Sequence, residues 1–147
     1  MKKEFTDSNL ESVLRDDGMS DVNWDTLKKY ENITTVGLGE LRKELGMGSW
    51  AVRTAYNKNY QGVVIQQLPG EGNRKHYHPE ANENWVIMDG EFEWWIEGKG
   101  TTRVKTGDIV SVEKKTWHQI TCVSDTPAVR YAINWPDVAH TYKEDNE

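Results

Sequence analysis

Only four of the 147 residues are histidines, yet two of them stand at positions 76 and 78 with a carboxylate, Glu83, close behind. On a β-strand residues i and i+2 project to one face, so His76 and His78 can reach a single ion. The intervening Pro79-Glu80-Ala81-Asn82 reads as a turn that returns Glu83 beside them. Two imidazoles and a carboxylate form a facial donor set. Mixed nitrogen and oxygen ligation of this kind suits iron, manganese, nickel, cobalt or zinc, and an octahedral ion held on one side keeps positions open for substrate or dioxygen. The expected cofactor is one divalent first-row metal ion.

Such a site needs rigid strands, and the hydrophobic pattern supplies them from Ser49 onward. Trp50, Val52, Thr54 and Tyr56 recur with period two, and residues 62–68 form a second β-rich run closed by Pro69-Gly70. Asp89-Gly90 between Trp85-Val86-Ile87-Met88 and Phe92-Glu93-Trp94-Trp95-Ile96 is a hairpin signal, because that turn requires residues tolerant of positive φ. Further turns fall at Glu97-Gly98-Lys99-Gly100 and Thr106-Gly107-Asp108. Short strands bounded by glycine predict a sandwich or barrel rather than βαβ units.

Before Ser49 the spacing is helical. Ser8-Asn9-Leu10-Glu11 has the form of a capping box, Leu10, Val13 and Leu14 follow on one face, and Asp16-Asp17-Gly18 stops the helix. Further short helices are expected over residues 23–30 and 40–45, the latter ended by Gly46. The chain therefore divides into a helical extension over 1–48 that packs on a barrel, the barrel itself over 49–136, and a polar tail over 137–147 that frays. In that tail His140 is read as a surface residue.

Composition narrows the function classes. With 18 basic against 24 acidic residues, the field repels nucleic acid and anionic membrane surfaces. Cys122 is the single cysteine, so no internal disulfide forms, and it reads as packing. The N-terminus lacks the apolar run of a signal peptide and no stretch reaches the length of a membrane span. A cytoplasmic location is expected.

Gly70, His76-Tyr77-His78, Glu83 and Gly90 fall at the spacings of the first cupin motif, and the chain resembles the cupin superfamily over residues 50–135. A looser second motif opens at Gly107 and carries His118, while Glu113, Lys115 and Cys122 occupy positions where the family has proline, glycine and asparagine. The resemblance implies an all-β fold, the cupin double-stranded β-helix or jelly-roll barrel, with the helical extension added at its N-terminus. It also implies His76, His78, Glu83 and His118 as the metal ligands. Trp85 and Ile87 share the parity of Glu83, and Ile120 and Cys122 that of His118, so the interior around the ion should be apolar and aromatic. By the same parity Arg74 turns inward, where it could clamp an anionic group, and Trp85 joins it as a substrate contact. Trp94 is assigned to the outer face, in a homodimer interface.

Cupins host many reactions, so the fold does not name one. The ligand set resembles that of cupin dioxygenases, which implies an iron(II) or manganese oxygenase acting on a small, anionic organic acid. An isomerase or lyase acting on a sugar, sugar phosphate or small metabolite is the alternative, since Glu83-Asn84-Trp85-Val86-Ile87 is similar to a strand of type II phosphomannose isomerases; Tyr56, Tyr60 and Tyr131 are its conceivable bases. The third reading is a non-catalytic small-molecule binding cupin with the helical first third as lid.

Overall fold

The computed structural model describes residues 2–144. Its elements are β1 (Glu4–Asp7), α1 (Leu10–Asp16), α2 (Trp24–Lys28), α3 (Leu38–Leu45), β2 (Trp50–Tyr56), β3 (Gln61–Gln67), β4 (Glu83–Asp89), β5 (Glu91–Ile96), β6 (Gly100–Lys105), β7 (Ile109–Val112), β8 (His118–Cys122), β9 (Ala128–Asn134) and β10 (His140–Lys143). A five-stranded sheet, β2-β3-β9-β4-β7, faces a three-stranded one, β6-β5-β8. This is the double-stranded β-helix expected from the sequence, with short helices before it.

Alternation along the strands builds the interior. Val63 and Ile65 of β3, Trp85 and Ile87 of β4, Phe92 and Trp94 of β5, Ile120 and Cys122 of β8, and Ala128 and Ala132 of β9 form one buried cluster. The Asp89-Gly90 hairpin joins β4 to β5 with Gly90 at φ +86°, and a side chain there would come within 2.5 Å of the Ala128 Cβ. Glycine is needed on both counts. Trp94 belongs to this interior, fully buried and edge-on to Trp85 at 5.5 Å, which corrects its assignment to an outer dimer face. Phe92 and Trp94 lie opposite Cys122 and Ile120. The neighbouring Trp95 is the outward tryptophan, with the Lys75 ammonium 4.3 Å from its ring.

The N-terminal extension is part of the same core. Asn9, rather than Ser8, caps α1 by accepting the Ser12 N–H at 3.0 Å, and Asn23 caps α2 in the same way. Leu10, Leu14, Met19, Val22 and Leu27 join the barrel cluster; burial of each such side chain stabilises by roughly 1.5–3 kcal/mol. α3 instead lays Leu41 against Trp50, Val52, Val64 and Val129 in a second cluster.

The two ends of the chain meet in a ribbon. β1 pairs antiparallel with β10, from Glu4↔Lys143 to Asp7↔His140. Residues 140–143 are thus a strand, not a fraying tail: the partner that orders them lies some 135 residues away along the chain, at Thr6 and Thr141, beyond what local composition can register. Residues 145–147, also assigned to that tail, lie outside the described residues. Among the described residues no helix is long and apolar enough to cross a membrane.

Candidate metal centre

His76 and His118 come from different elements and are zipped together by backbone. The His76 N–H donates to the His118 carbonyl at 3.1 Å and the His118 N–H to the His76 carbonyl at 2.8 Å. Two residues on, the Lys115 N–H donates to the His78 carbonyl at 2.7 Å. Lys115 stands where the family has glycine, and it adopts the left-handed conformation itself, φ +63°. That conformation costs an L-residue about 1–2 kcal/mol, so the β7–β8 bend is made despite the substitution. Glu83 opens β4 opposite Val112 of β7.

These placements bring the four expected ligands together. His76, His78, Glu83 and His118 are 1, 1, 2 and 0% exposed, and one donor atom from each lies within 4.8 Å of all the others. The three imidazoles are held alike. His76 Nδ1 meets the Arg74 carbonyl at 2.7 Å, His78 Nδ1 the Ala139 carbonyl at 3.1 Å, and His118 Nδ1 the Thr116 carbonyl at 3.0 Å. A carbonyl can only accept, so each Nδ1 carries a proton and Nε2 is the atom that each ring offers to an ion. His76 Nε2 and His118 Nε2 are buried without a hydrogen-bond partner. Glu83 Oε1 stands 3.0 Å from His78 Nε2 and 3.6 Å from His118 Nε2. Ligands about 2.1 Å from an ion and at right angles lie about 3 Å apart, so the donor set fits one first-row divalent ion.

Glu83 is held from behind. Trp85 Nε1 donates to its Oε1 at 2.8 Å, and Asn134 Nδ2 donates to its Oε2. Burial opposes the Glu83 charge, but His78 and His118 outweigh it and hold the carboxyl well below its usual range. For His78, burial is likewise outweighed by Glu83 and the imidazole is raised. His76 is lowered well below its ordinary value by burial, then by the neighbouring imidazoles of His118, His140 and His78.

His140 is a fourth imidazole beside these ligands, which corrects its reading as a surface residue. It is 9% exposed, its ring centroid lies 4.4 Å from that of His78 and 4.7 Å from that of His76, and its Nδ1 is anchored on the Val138 carbonyl at 3.1 Å. Burial, followed by His78, pushes it down to about 3. Only the alternation His140-Thr141-Tyr142 hinted at a strand here. Trp85 lines the central cavity as expected. Arg74 does not: its Nη2 donates to the Lys143 carbonyl at 2.5 Å and its guanidinium lies over Phe5 and Tyr142. Residues 73–78 are joined to the barrel by isolated bridges rather than a ladder, so strand alternation does not carry from His76 back to Arg74. None of Tyr56, Tyr60 and Tyr131 lines the cavity.

Two outcomes follow from this geometry. Asn134→Ala frees one Glu83 oxygen from its donor and is expected to weaken metal affinity about 10–100-fold, read by competition with a chromogenic chelator, while the circular dichroism spectrum stays unchanged. Metal-free protein should lose stability as pH falls below about 6.5. The unfolded chain protonates His76 and His140 there and the folded chain does not, so protons favour unfolding; Glu83 adds the same sign in the carboxylate range. Raised His78 acts oppositely, but near and above neutrality, and Asp17, pushed up to about 7 by burial, also acts oppositely but with one proton against the two of His76 and His140. Guanidinium midpoints measured between pH 7.5 and 5 check the trend.

The sequence profile of the cupin domain matches residues 63–134, and none of the curated proteins compared matches the chain. Similar solved structures share its fold at low identity. An uncharacterized conserved protein with a double-stranded β-helix domain from Klebsiella pneumoniae has a TM-score of 0.62 at 18% identity, over 78% of this chain and 99% of that one. KdgF from a Halomonas species gives 0.56 at 19%, over 60% and 79%. A sugar phosphate isomerase of the cupin superfamily from Silicibacter pomeroyi gives 0.52 at 20%, over 59% and 57%. Profile, barrel and buried ligand cluster agree, and the chain carries a cupin domain over residues 63–134.

Proposed function

We propose that the protein is a mononuclear divalent-metal enzyme that acts on a small organic acid in an oxygenase-type reaction, with iron(II) or manganese in the site. The observation that supports this reading is the convergence of Glu83 and three imidazoles, each anchored through Nδ1 on a backbone carbonyl, inside the barrel. When bound, the ion supplies Lewis acidity and the one-electron chemistry that dioxygen requires. The chain's own residues do the rest. His76, His78, His118 and Glu83 hold the ion, and Trp85 and Asn134 fix the carboxylate. Trp85, Ile87, Phe92 and Ile120 keep water from the interior, which strengthens each polar contact made there.

A second reading is a metal-dependent isomerase or lyase, and His140 favours it. This chemistry needs a base besides the ligands, and His140 is an imidazole that lines the cavity without belonging to the four expected ligands. Oxygen uptake by iron(II)-loaded protein, tested with small hydroxy- and oxo-acids, separates the two. We expect uptake that depends on the acid and disappears in Glu83→Ala. Exchange of a carbon-bound proton in D2O without oxygen uptake, lost in His140→Asn, would instead support the isomerase or lyase.

A further inference from the structure

Arg130 lies on β9 with Ala132 and Asn134 on the same inward face, paired across to Ile65 and Ile87. Its side chain is 1% exposed and lines the cavity that His76, Glu83, Trp85 and Asn134 also line. It is the only arginine or lysine among the described residues to do so. The guanidinium is held rigid: Nε and Nη2 share the Gln67 carboxamide oxygen at 3.0 and 2.9 Å, Gln67 is anchored by donating to the Gly72 carbonyl at 2.8 Å, and the plane lies 4.5 Å from the centre of the Trp85 ring. This uses one edge of the fork and leaves Nη1 for another acceptor.

A buried cation is normally paired with an anion. Among the described residues no carboxylate forms an ion pair with Arg130. The nearest acidic influences are Asp17 and Glu83, and they only partly offset the burial that lowers Arg130 to about 10. Asp17 sits just past α1 and lines the same cavity, and its Oδ1 accepts the Arg74 N–H at 3.1 Å. With α1 in place the cavity holds about 30 Å³ of free space, enough for one or two waters and not for an organic acid.

We propose that Arg130 is the anion-recognition residue of this barrel, taking a carboxylate of the substrate beside the metal ligands, and that the α1 end carrying Asp17 shifts to admit it. The inference rests on the metal-enzyme reading and supplies its substrate contact. A carboxylate suits the cavity better than a phosphate. One guanidinium already shares the space with two acidic groups, so a singly charged group leaves less repulsion than a doubly charged one. Arg74, held outside by Lys143 and Phe5, takes no part. Asp17 competes with the incoming anion for the field of Arg130.

The test is calorimetric titration of malonate, with inorganic phosphate as the contrasting probe, into manganese-loaded protein. Malonate should bind, and phosphate should bind at least tenfold more weakly. Burial pushes the Asp17 carboxyl up to about 7, so the titration is run at pH 8, where it is ionised; there Asp17→Asn keeps the acceptor for the Arg74 N–H but removes the competing charge, and it should tighten malonate binding at least threefold. Arg130→Gln should weaken it at least tenfold. Absence of malonate binding in both wild type and Asp17→Asn, or unchanged affinity in Asp17→Asn, would overturn the proposal even if Arg130→Gln fails to fold. Preferential binding of phosphate would overturn the carboxylate assignment. Metal content measured on the same samples keeps the two claims apart: protein that takes up no manganese defeats the metal reading, whereas loaded protein indifferent to these changes defeats this one alone.

Discussion

Removing a carboxylate and three imidazole nitrogens from water, without giving each nitrogen a proton to accept, is the constraint around which this barrel is arranged. An unsatisfied buried acceptor costs on the order of 1–3 kcal/mol, and His76 Nε2 and His118 Nε2 are two such acceptors at one point. Their Nδ1 protons are tied to backbone carbonyls, so neither ring can relieve the strain by changing tautomer. A cation meeting all four donors turns the same arrangement from a cost into a binding site. The backbone bridges between residues 76 and 118, the donors behind Glu83 and the aromatic wall all hold the ligands where that cation is needed.

Closure of the barrel is shared between the two ends of the chain. β10 carries His140 against the ligand rings, β1 holds β10 in register, and α1 follows β1 directly to place Leu10, Val13, Leu14 and Asp17 along the cavity. The cover is thereby tied to the ligand segment twice, through Tyr77↔Thr141 and through Asp17 and the Arg74 N–H. The apolar anchors Met19, Val22 and Leu27 fix the rest of the extension in the core. The shift proposed to admit a substrate falls at the short turn around Asp17-Gly18, where Gly18 sits at φ +93°.

The parts of this arrangement legible in the sequence are those encoded locally. His76, His78 and Glu83 are close in sequence, and the hairpin at Gly90 follows from two residues. The extension's apolar spacing also shows, because Leu10, Val13 and Leu14 lie within two helical turns. Parity inside a regular strand carried Trp85, Ile87, Ile120 and Cys122 to the interior. It failed for Arg74, where the strand is broken into bridges, and for Trp94, where adjacent tryptophans at 94 and 95 leave the inward face undecided until the partner β8 is known. His140, Asn134, Arg130 and Asp17 depend on non-local placement: β10 exists because of β1, and Asp17 reaches the cavity because α1 docks across it. His118 became visible only through the family pattern, since a single histidine on a strand carries no signal of its own.

The central claim is that these four side chains hold one metal ion, and elemental analysis tests it most directly. Protein purified without chelator, beside a His76→Ala/His78→Ala variant shown to be folded, would be assayed for first-row metals. The account predicts about one equivalent of iron, manganese, nickel, cobalt or zinc per chain in the wild type and almost none in the variant. A wild type that neither carries metal nor takes it up under reducing conditions, or a variant that retains a full equivalent, would contradict it.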